Sequence, residues 1–299
     1  MKKLGVALSG GGIKSFSQVP ILKAMLERHI NINYISGTSM GSVIAALYAS
    51  GMSIDELSIE ILELEKIIVD RKLFRKISPK LLPFSKERIK GGFIDGEILE
   101  ELIIELFQRQ GVKMMSDVII PLAIPAVDII SGRLVVFVSH PEKFKALDDS
   151  WIIISDAELS KAVRASCSFP LVIGGLEMED MMLIDGGVMM NLPLQLLEAY
   201  NAETTVGITM HSCEVYDSES NFFTLVTRIL DIQRKQMDQE LLSKADLIIN
   251  VPLDNVQIFD VGRGLDSFIE GQRVVKQGIN DLEKLVYKKP WYKSLFKSS

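Results

Sequence analysis

The sequence predicts an α/β fold in which a sheet carries helices on both faces. Two observations carry that reading. Short apolar runs of strand length alternate along the chain with longer stretches whose apolar residues recur at three- and four-residue spacing, as they do where strands are covered by the helices between them. The first two strand-to-helix junctions are glycine-rich, which suits sharp turns that residues with a Cβ make poorly. With 299 residues, 47% apolar and 24% charged, the chain can bury a full core as one domain and carries no compositional mark of disorder.

Each element follows from the local pattern. Residues 4–8 are an apolar run ending in Ser9-Gly10-Gly11-Gly12, a buried strand followed by a glycine turn. Residues 16–28 place Val19, Leu22, Met25 and Leu26 on one helical face. Residues 33–36 form a second short strand, and 40–50 a small-residue helix stopped by Gly51. From 52 to 117 the chain turns to long helical periodicity, with Ile54, Leu57, Ile61, Leu64, Ile67 and Ile68 on one side. Pro79 and Pro83 interrupt it, and a second helix over 96–110 follows the turn at 91–95. This region reads as a helical insertion or lid within the domain, with plain core helices as the alternative. Strands are expected at 118–124, 134–138, 181–184, 204–210 and 247–251, and helices near 155–166, 193–200, 221–243 and 265–286. The domain therefore covers 1–286, and 287–299 is a tail mixing lysines with aromatic residues. Such a mixture suits a bilayer interface, with a solvated tail as the alternative.

The composition excludes several classes of function. A net charge of -6 does not supply the basic stripe that a nucleic-acid binder needs. No apolar run reaches the roughly 20 residues of a spanning helix. Cys167 and Cys213 make no disulfide framework, and the apolar segment after Met1-Lys2-Lys3 is too short for a signal-peptide core. A reduced, cytoplasmic setting is expected, with contact at a membrane surface allowed. Neither histidines nor cysteines are spaced for a metal, and no calcium loop is present. Asp95 and Asp128 read as turn residues.

The chemistry concentrates at the two glycine turns. Gly37-Thr38-Ser39-Met40-Gly41 is a G-x-S-x-G pentapeptide between an expected strand and an expected helix. A sharp turn there lifts a serine hydroxyl out of the sheet, with Gly37 and Gly41 relieving the crowding. In the first turn, Gly10-Gly11-Gly12-Ile13-Lys14, exposed amides at a helix start could cradle a phosphate or hold an oxyanion. The dinucleotide pattern fails at Ser15, and the Walker pattern fails because Ile13 separates Gly12 from Lys14. No cofactor is implied, and the oxyanion reading survives. A serine needs a base, and the candidates are Asp185, in Asp185-Gly186-Gly187, and His29, His140 and His211.

A glycine loop followed by a basic residue, then G-x-S-x-G, then Asp185-Gly186-Gly187 far downstream resembles the patatin-like phospholipases, particularly their compact bacterial members. Val163-Arg164-Ala165-Ser166-Cys167-Ser168-Phe169-Pro170 is similar to the family's helix-to-proline segment, and Asn191-Leu192-Pro193 to the stretch after its aspartate. The resemblance implies a twisted, mostly parallel sheet flanked by helices, a Ser39-Asp185 dyad without histidine, an oxyanion hole on the 10–14 loop, and phospholipid or another acyl-ester lipid as substrate. Lys14 stands where arginine is common in the family, and Cys167 at a small-residue position. Other readings are an esterase or triacylglycerol lipase using Ser39, Asp185 and His211, in the chain order of the α/β-hydrolases, and a non-catalytic membrane-surface module of the same fold. His29 and His140 read as structural.

Overall fold

Order along the chain follows from where apolar side chains can be hidden. In the computed structural model, residues 2–73, 92–94, 96–211 and 222–286 are described. They form β1 (Leu4–Leu8), α1 (Gln18–Glu27), β2 (Tyr34–Gly37), α2 (Met40–Ala49), α3 (Ile54–Asp70), β3 (Gly92–Ile94), α4 (Gly96–Arg109), β4 (Leu122–Asp128), β5 (Arg133–Val138) and β6 (Ile152–Ile154). Then come α5 (Leu159–Ser166), β7 (Leu171–Ile173), β8 (Leu176–Met178), β9 (Met181–Asp185), α6 (Leu194–Ala199), β10 (Thr204–Thr209), α7 (Phe222–Leu242), β11 (Leu247–Asn250) and α8 (Gly264–Val286).

The main sheet runs β11-β10-β1-β2-β4-β5-β6. Its left part, β11 through β4, is parallel throughout. β1, β2 and β10 are buried along their whole length, as strands covered by helices on both faces must be. β4 is the pivotal strand. Leu122 and Ala123, at its start, are paired near the sequence positions opposite Ile35 and Ser36 of β2, whereas Ala126 to Asp128, at its end, pair antiparallel with β9. Because β2 stops at Gly37, β9 takes over the vacated side of β4. Asp185 then faces Ala126, at the end of the sheet where β2 has just turned into α2. The fold is thus a mostly parallel, mixed α/β sheet flanked by helices, as expected.

Several boundaries differ from the sequence pattern. The strand expected at 118–124 lies at Leu122–Asp128. Pro125 and Asp128 look like breakers in sequence, but pairing to β5 and β9 overrides that preference. Asp128 is still a turn residue, since its carboxylate accepts from the amides of Ile130, Ser131 and Met182. The helix expected from 155 begins at Leu159, because the backbones of Ala157 and Glu158 pair with Met115 and Met114 instead. The short strands β3, β7 and β8 were not anticipated, each being three residues long. The tail at 287–299, Asp95, Cys213 and the prolines at 79 and 83 lie outside the described residues.

The helices of the 52–117 region are core elements. A capping box joins Ser53 and Glu56 at the start of α3, and Leu57 and Ile61 are fully buried. Glu65, on the same face, accepts the amides of Gly262 and Gly264 at 2.6 and 2.8 Å, tying α3 to the start of α8. Arg164 on α5 is 2% exposed. Its guanidinium donates to Gly96 O at 2.9 Å, Gly174 O at 2.7 Å and the Ser168 hydroxyl. That fork joins α4, α5 and the turn after β7, and it holds the segment whose Ser168 carbonyl accepts the Asp185 amide at 3.0 Å.

Arg164→Met should therefore remove three hydrogen bonds among buried groups and lower stability by roughly 3 kcal/mol or more. Arg164→Lys should recover little of this, since an ammonium cannot reproduce the planar fork. Urea denaturation midpoints would check both, and a methionine variant as stable as the wild type would contradict the assignment.

Candidate active site

The elbow is built by close approach of backbones. Ser39 ends the turn from β2 to α2 with φ 53 and ψ -129, a conformation that is strained for any residue with a side chain. Flanking side chains would not fit. A Cβ on Gly37 would come 2.3 Å from Gly41 O, and one on Gly41 would come 2.6 Å from Leu8 O. The turn is held by Thr38 N donating to Leu8 O at 3.1 Å, by the Ser39 amide donating to Ser166 Oγ at 2.9 Å, and by the Ser42 hydroxyl donating to Ser39 O at 2.6 Å.

Behind the serine lies Asp185, completely buried. Its Oδ1 accepts the Gly187 amide at 2.7 Å. Its Oδ2 has no completed hydrogen bond among the described residues, although the Ser39 hydroxyl stabilises the charged form. Such contacts are often long in ligand-free enzymes and tighten with substrate. Burial pushes the Asp185 carboxyl above the usual aspartate range, while the positive charge of Arg234, the Ser39 hydroxyl and the Gly187 amide pull it back. Cys167, beside the pair, is buried and its thiol is pushed up to about 12, chiefly by that burial. It stays neutral.

The glycine loop is narrower as a donor set than the five residues 10–14 suggested. Gly10 N is spent on Asn191 O at 3.2 Å, Ile13 N on Ile258 O at 3.0 Å and Lys14 N on Gly11 O at 3.1 Å. The amides of Gly11 and Gly12 donate to no acceptor among the described residues. Ile13 and Lys14 therefore support the loop rather than supply its donors. The Lys14 side chain lines a second, smaller polar hollow beside Asn191 and His211, on the far side of Gly11. Met40, the first residue of α2, has an amide that likewise finds no acceptor. The residue after an elbow nucleophile is a common oxyanion donor, a signal that was legible in the pentapeptide but not used.

Ser39 opens onto a cavity of about 800 Å³, its solvent-facing mouth included. The walls are mostly apolar: Phe16, Val43 of α2, Leu64 and Ile68 of α3, and Leu99 and Ile103 of α4. The 52–117 region thus supplies two walls of this cavity while also packing in the core. Gly11 and Gly12 line the same space.

The histidines are engaged elsewhere. His211 Nε2 is 2.9 Å from Asp238 Oδ2 on α7, and Asp238 also accepts from the Asn191 side chain at 3.3 Å. His140 pairs with the Ser139 hydroxyl at 3.0 Å, and its partial burial, followed by Lys143, pushes its pKa down. His29 is exposed at the end of α1. The residue that sequence reasoning missed is Arg234 on α7, 4.0 Å from Asp185 Oδ1. Nothing local to Asp185 could have revealed it. Among the described residues no cluster of side chains suits a metal ion, and no helix is long and apolar enough to cross a membrane.

If the elbow stores strain at a positive φ, then Ser39→Gly should be the more stable of two inactive variants, exceeding Ser39→Ala by about 1 kcal/mol after glycine's own entropy cost. Thermal melts of the pair would check this, and an alanine variant equal or superior in stability would contradict the strain.

The Patatin-like phospholipase family matches residues 6–197, a span holding the glycine loop, Ser39 and Asp185. The Bacillus subtilis protein YqhO is 25% identical over 264 residues, covering 84% of this chain and 88% of the relative. A Mycobacterium tuberculosis protein of the NTE family is 25% identical over 222 residues, covering 73% of this chain and 53% of its own length, so the chain spans about half of that relative. Among solved structures, VipD from Legionella pneumophila aligns with a TM-score of 0.49 and 12% identity, covering 92% of this chain and 67% of VipD. On the family match to most of its length, this chain belongs to the patatin-like phospholipase family.

Proposed function

We propose that the chain is a lipid acyl-ester hydrolase of the phospholipase or lysophospholipase type, with Ser39 as nucleophile and Asp185 as its base. The observation that carries this reading is the position of Ser39, lifted at φ 53 between a fully buried carboxylate and a mostly apolar cavity suited to an acyl chain. Ser39 Oγ attacks the ester carbonyl while Asp185 Oδ2 takes its proton. The carbonyl oxygen becomes an oxyanion and is met by the amides of Gly11 and Gly12, with Met40 N as a further donor. The ester C–O bond then breaks, the alcohol leaves with the proton from Asp185, and an acyl-Ser39 remains. Water repeats the sequence: its oxygen attacks the acyl carbon as Asp185 takes its proton, the acyl bond to Ser39 breaks, Ser39 Oγ recovers the proton from Asp185, and the fatty acid departs.

Direct transfer to a carboxylate is less favourable near neutral pH than transfer to imidazole, so preorganised amides must contribute heavily; a single donor of this kind is commonly worth about 10² to 10³ in rate. The helices α3 and α4, as walls of the cavity, would select the acyl chain. Family membership supports a lipid substrate. The dyad reading is favoured over a triad because the Ser39 hydroxyl acts on Asp185, whereas His211 is held by Asp238 and lines a hollow that does not include Ser39.

Ser39→Ala should abolish ester hydrolysis and fluorophosphonate labelling while the protein remains folded. Asp185→Asn should lower turnover by roughly 10² to 10⁴-fold, the cost of a lost general base, and His211→Ala should cost far less. Near-normal activity in Ser39→Ala would sink the mechanism, and a reversed order of the Asp185 and His211 effects would replace the dyad with a triad. Turnover should also persist in excess chelator, because the donors invoked are backbone amides; activity lost on chelation and restored by metal would argue otherwise.

A further inference from the structure

Arg234 is buried, at 5% exposure, in a place where its charge has few uses. It comes from α7, and its guanidinium lies 4.9 Å above the ring of Phe169, with Nε 3.4 Å from Gly187 O and Nη2 4.0 Å from Asp185 Oδ1. The arrangement depends on a glycine: a Cβ at 187 would stand 2.9 Å from Asp185 Oδ1 and 3.0 Å from Arg234 Nη2, wedged between them. The second glycine of Asp185-Gly186-Gly187 thus lets the two charges approach.

We propose that Arg234 is a positioning residue that keeps Asp185 ionised, and so usable as a base, without occupying the oxygen that must accept the proton. This rests on the dyad reading above. A carboxylate without exposure to water is driven toward its neutral form unless an opposite charge or donated hydrogen bonds hold it. The elbow offers the neutral Ser39 hydroxyl, and α5 offers the neutral Cys167 thiol. Arg164, also on α5, directs its fork to Gly96, Gly174 and Ser168. The turn after β9 donates the Gly187 amide to Oδ1. On α7, Asp238 lies one helical turn from Arg234 and is matched by His211. Arg234 therefore supplies the positive charge that burial of Asp185 demands.

The distance matters as much as the charge. A bidentate pair would engage both carboxylate oxygens and make the group a poor proton acceptor. At 4.0 Å from Oδ1, Arg234 acts through the field, and Oδ2 keeps no completed hydrogen bond among the described residues. The stacking on Phe169 and the contact with Gly187 O restrain the guanidinium from closing further. Burial and Arg234 also head the opposing influences on the Asp185 carboxyl, the first raising its pKa and the second lowering it.

The test is the pH dependence of kcat/KM for a soluble short-chain ester, measured on the full chain, with fluorophosphonate labelling in parallel. A carboxylate base works only above its pKa, so the rate falls as pH drops through that value. Wild-type enzyme should show its acid limb below neutrality. Arg234→Met should move the limb up by about 1 to 3 pH units, the range typical for loss of a neighbouring opposite charge, and should recover most of its rate on the alkaline side. Arg234→Lys should keep the limb near the wild-type position. A methionine variant that is slower at every pH with an unmoved limb would reduce Arg234 to a structural role and overturn the proposal. Where the methionine variant does not fold, Arg234→Gln makes the same comparison, and a wild-type limb above pH 7 overturns the proposal with no variant at all. Wild-type protein that neither hydrolyses esters nor takes the probe at any pH would defeat the enzyme reading itself, a result distinct from an active enzyme whose limb ignores Arg234.

Discussion

A carboxylate withdrawn wholly from water is the demand that organises this molecule. Asp185 can be placed beside Ser39 only because β4 divides its pairing, running first along β2 and then along β9. It stays in place because its own amide is held by Ser168 O and its Oδ1 by the Gly187 amide. Ser168 in turn is held by the buried fork of Arg164. Burial pushes this carboxyl toward its neutral form, and Arg234, the Ser39 hydroxyl and the Gly187 amide act against that push. These supports come from the 164–168 segment, the turn after β9 and α7.

The parallel pairing of β1 with β2 brings the two glycine turns together, since both leave the same end of the sheet. Sites in open α/β sheets form at the carboxyl ends of strands for this reason. Here the two turns touch directly. Thr38 donates to Leu8 O, and the Gln18 side chain donates to Ser9 O. The segment after Asp185 runs beneath both, with Met190 O accepting from Thr38 Oγ1, Pro193 O from Ser36 Oγ and Asn191 O from Gly10 N. Those contacts give the Asn191-Leu192-Pro193 stretch a physical role: it registers the Ser39 turn and the glycine loop against each other.

The same apolar helices build the core and the cavity beside Ser39. α3 and α4 bury residues such as Leu57, Ile61, Leu102 and Phe107 in the main core, and present Leu64, Ile68, Leu99 and Ile103 to the cavity beside Ser39. Glu65 is the polar exception on that face, and its carboxylate caps amides at the entry to α8. A cavity wall that is also a core wall can be changed only by substitutions that respect packing, because deleting buried methylenes costs several kcal/mol when the gap does not collapse.

The alternation of strands and helices, the elbow at Ser39 and the glycine loop were legible in the sequence because each depends on local chemistry: apolar periodicity, and backbone turns that demand glycine. The motif Asp185-Gly186-Gly187 was legible as a pattern, but not the reason for its glycines. Pairing partners hid the rest. Pro125 and Asp128 disguised β4, and Ile152–Ile154 became a strand only through β5. Of the loop residues 10–14, only the folded backbone shows that Gly10, Ile13 and Lys14 spend their amides on Asn191, Ile258 and Gly11. Which histidine has a carboxylate partner, and which cation reaches Asp185, were likewise decided by α7, far along the chain. The sequence by itself determined the fold class and the turns that carry the chemistry, since those are short-range properties of the backbone. Tertiary structure decided the charge environment and the free donors, since field and hydrogen-bond competition depend on what is brought near, not on what is adjacent in the chain.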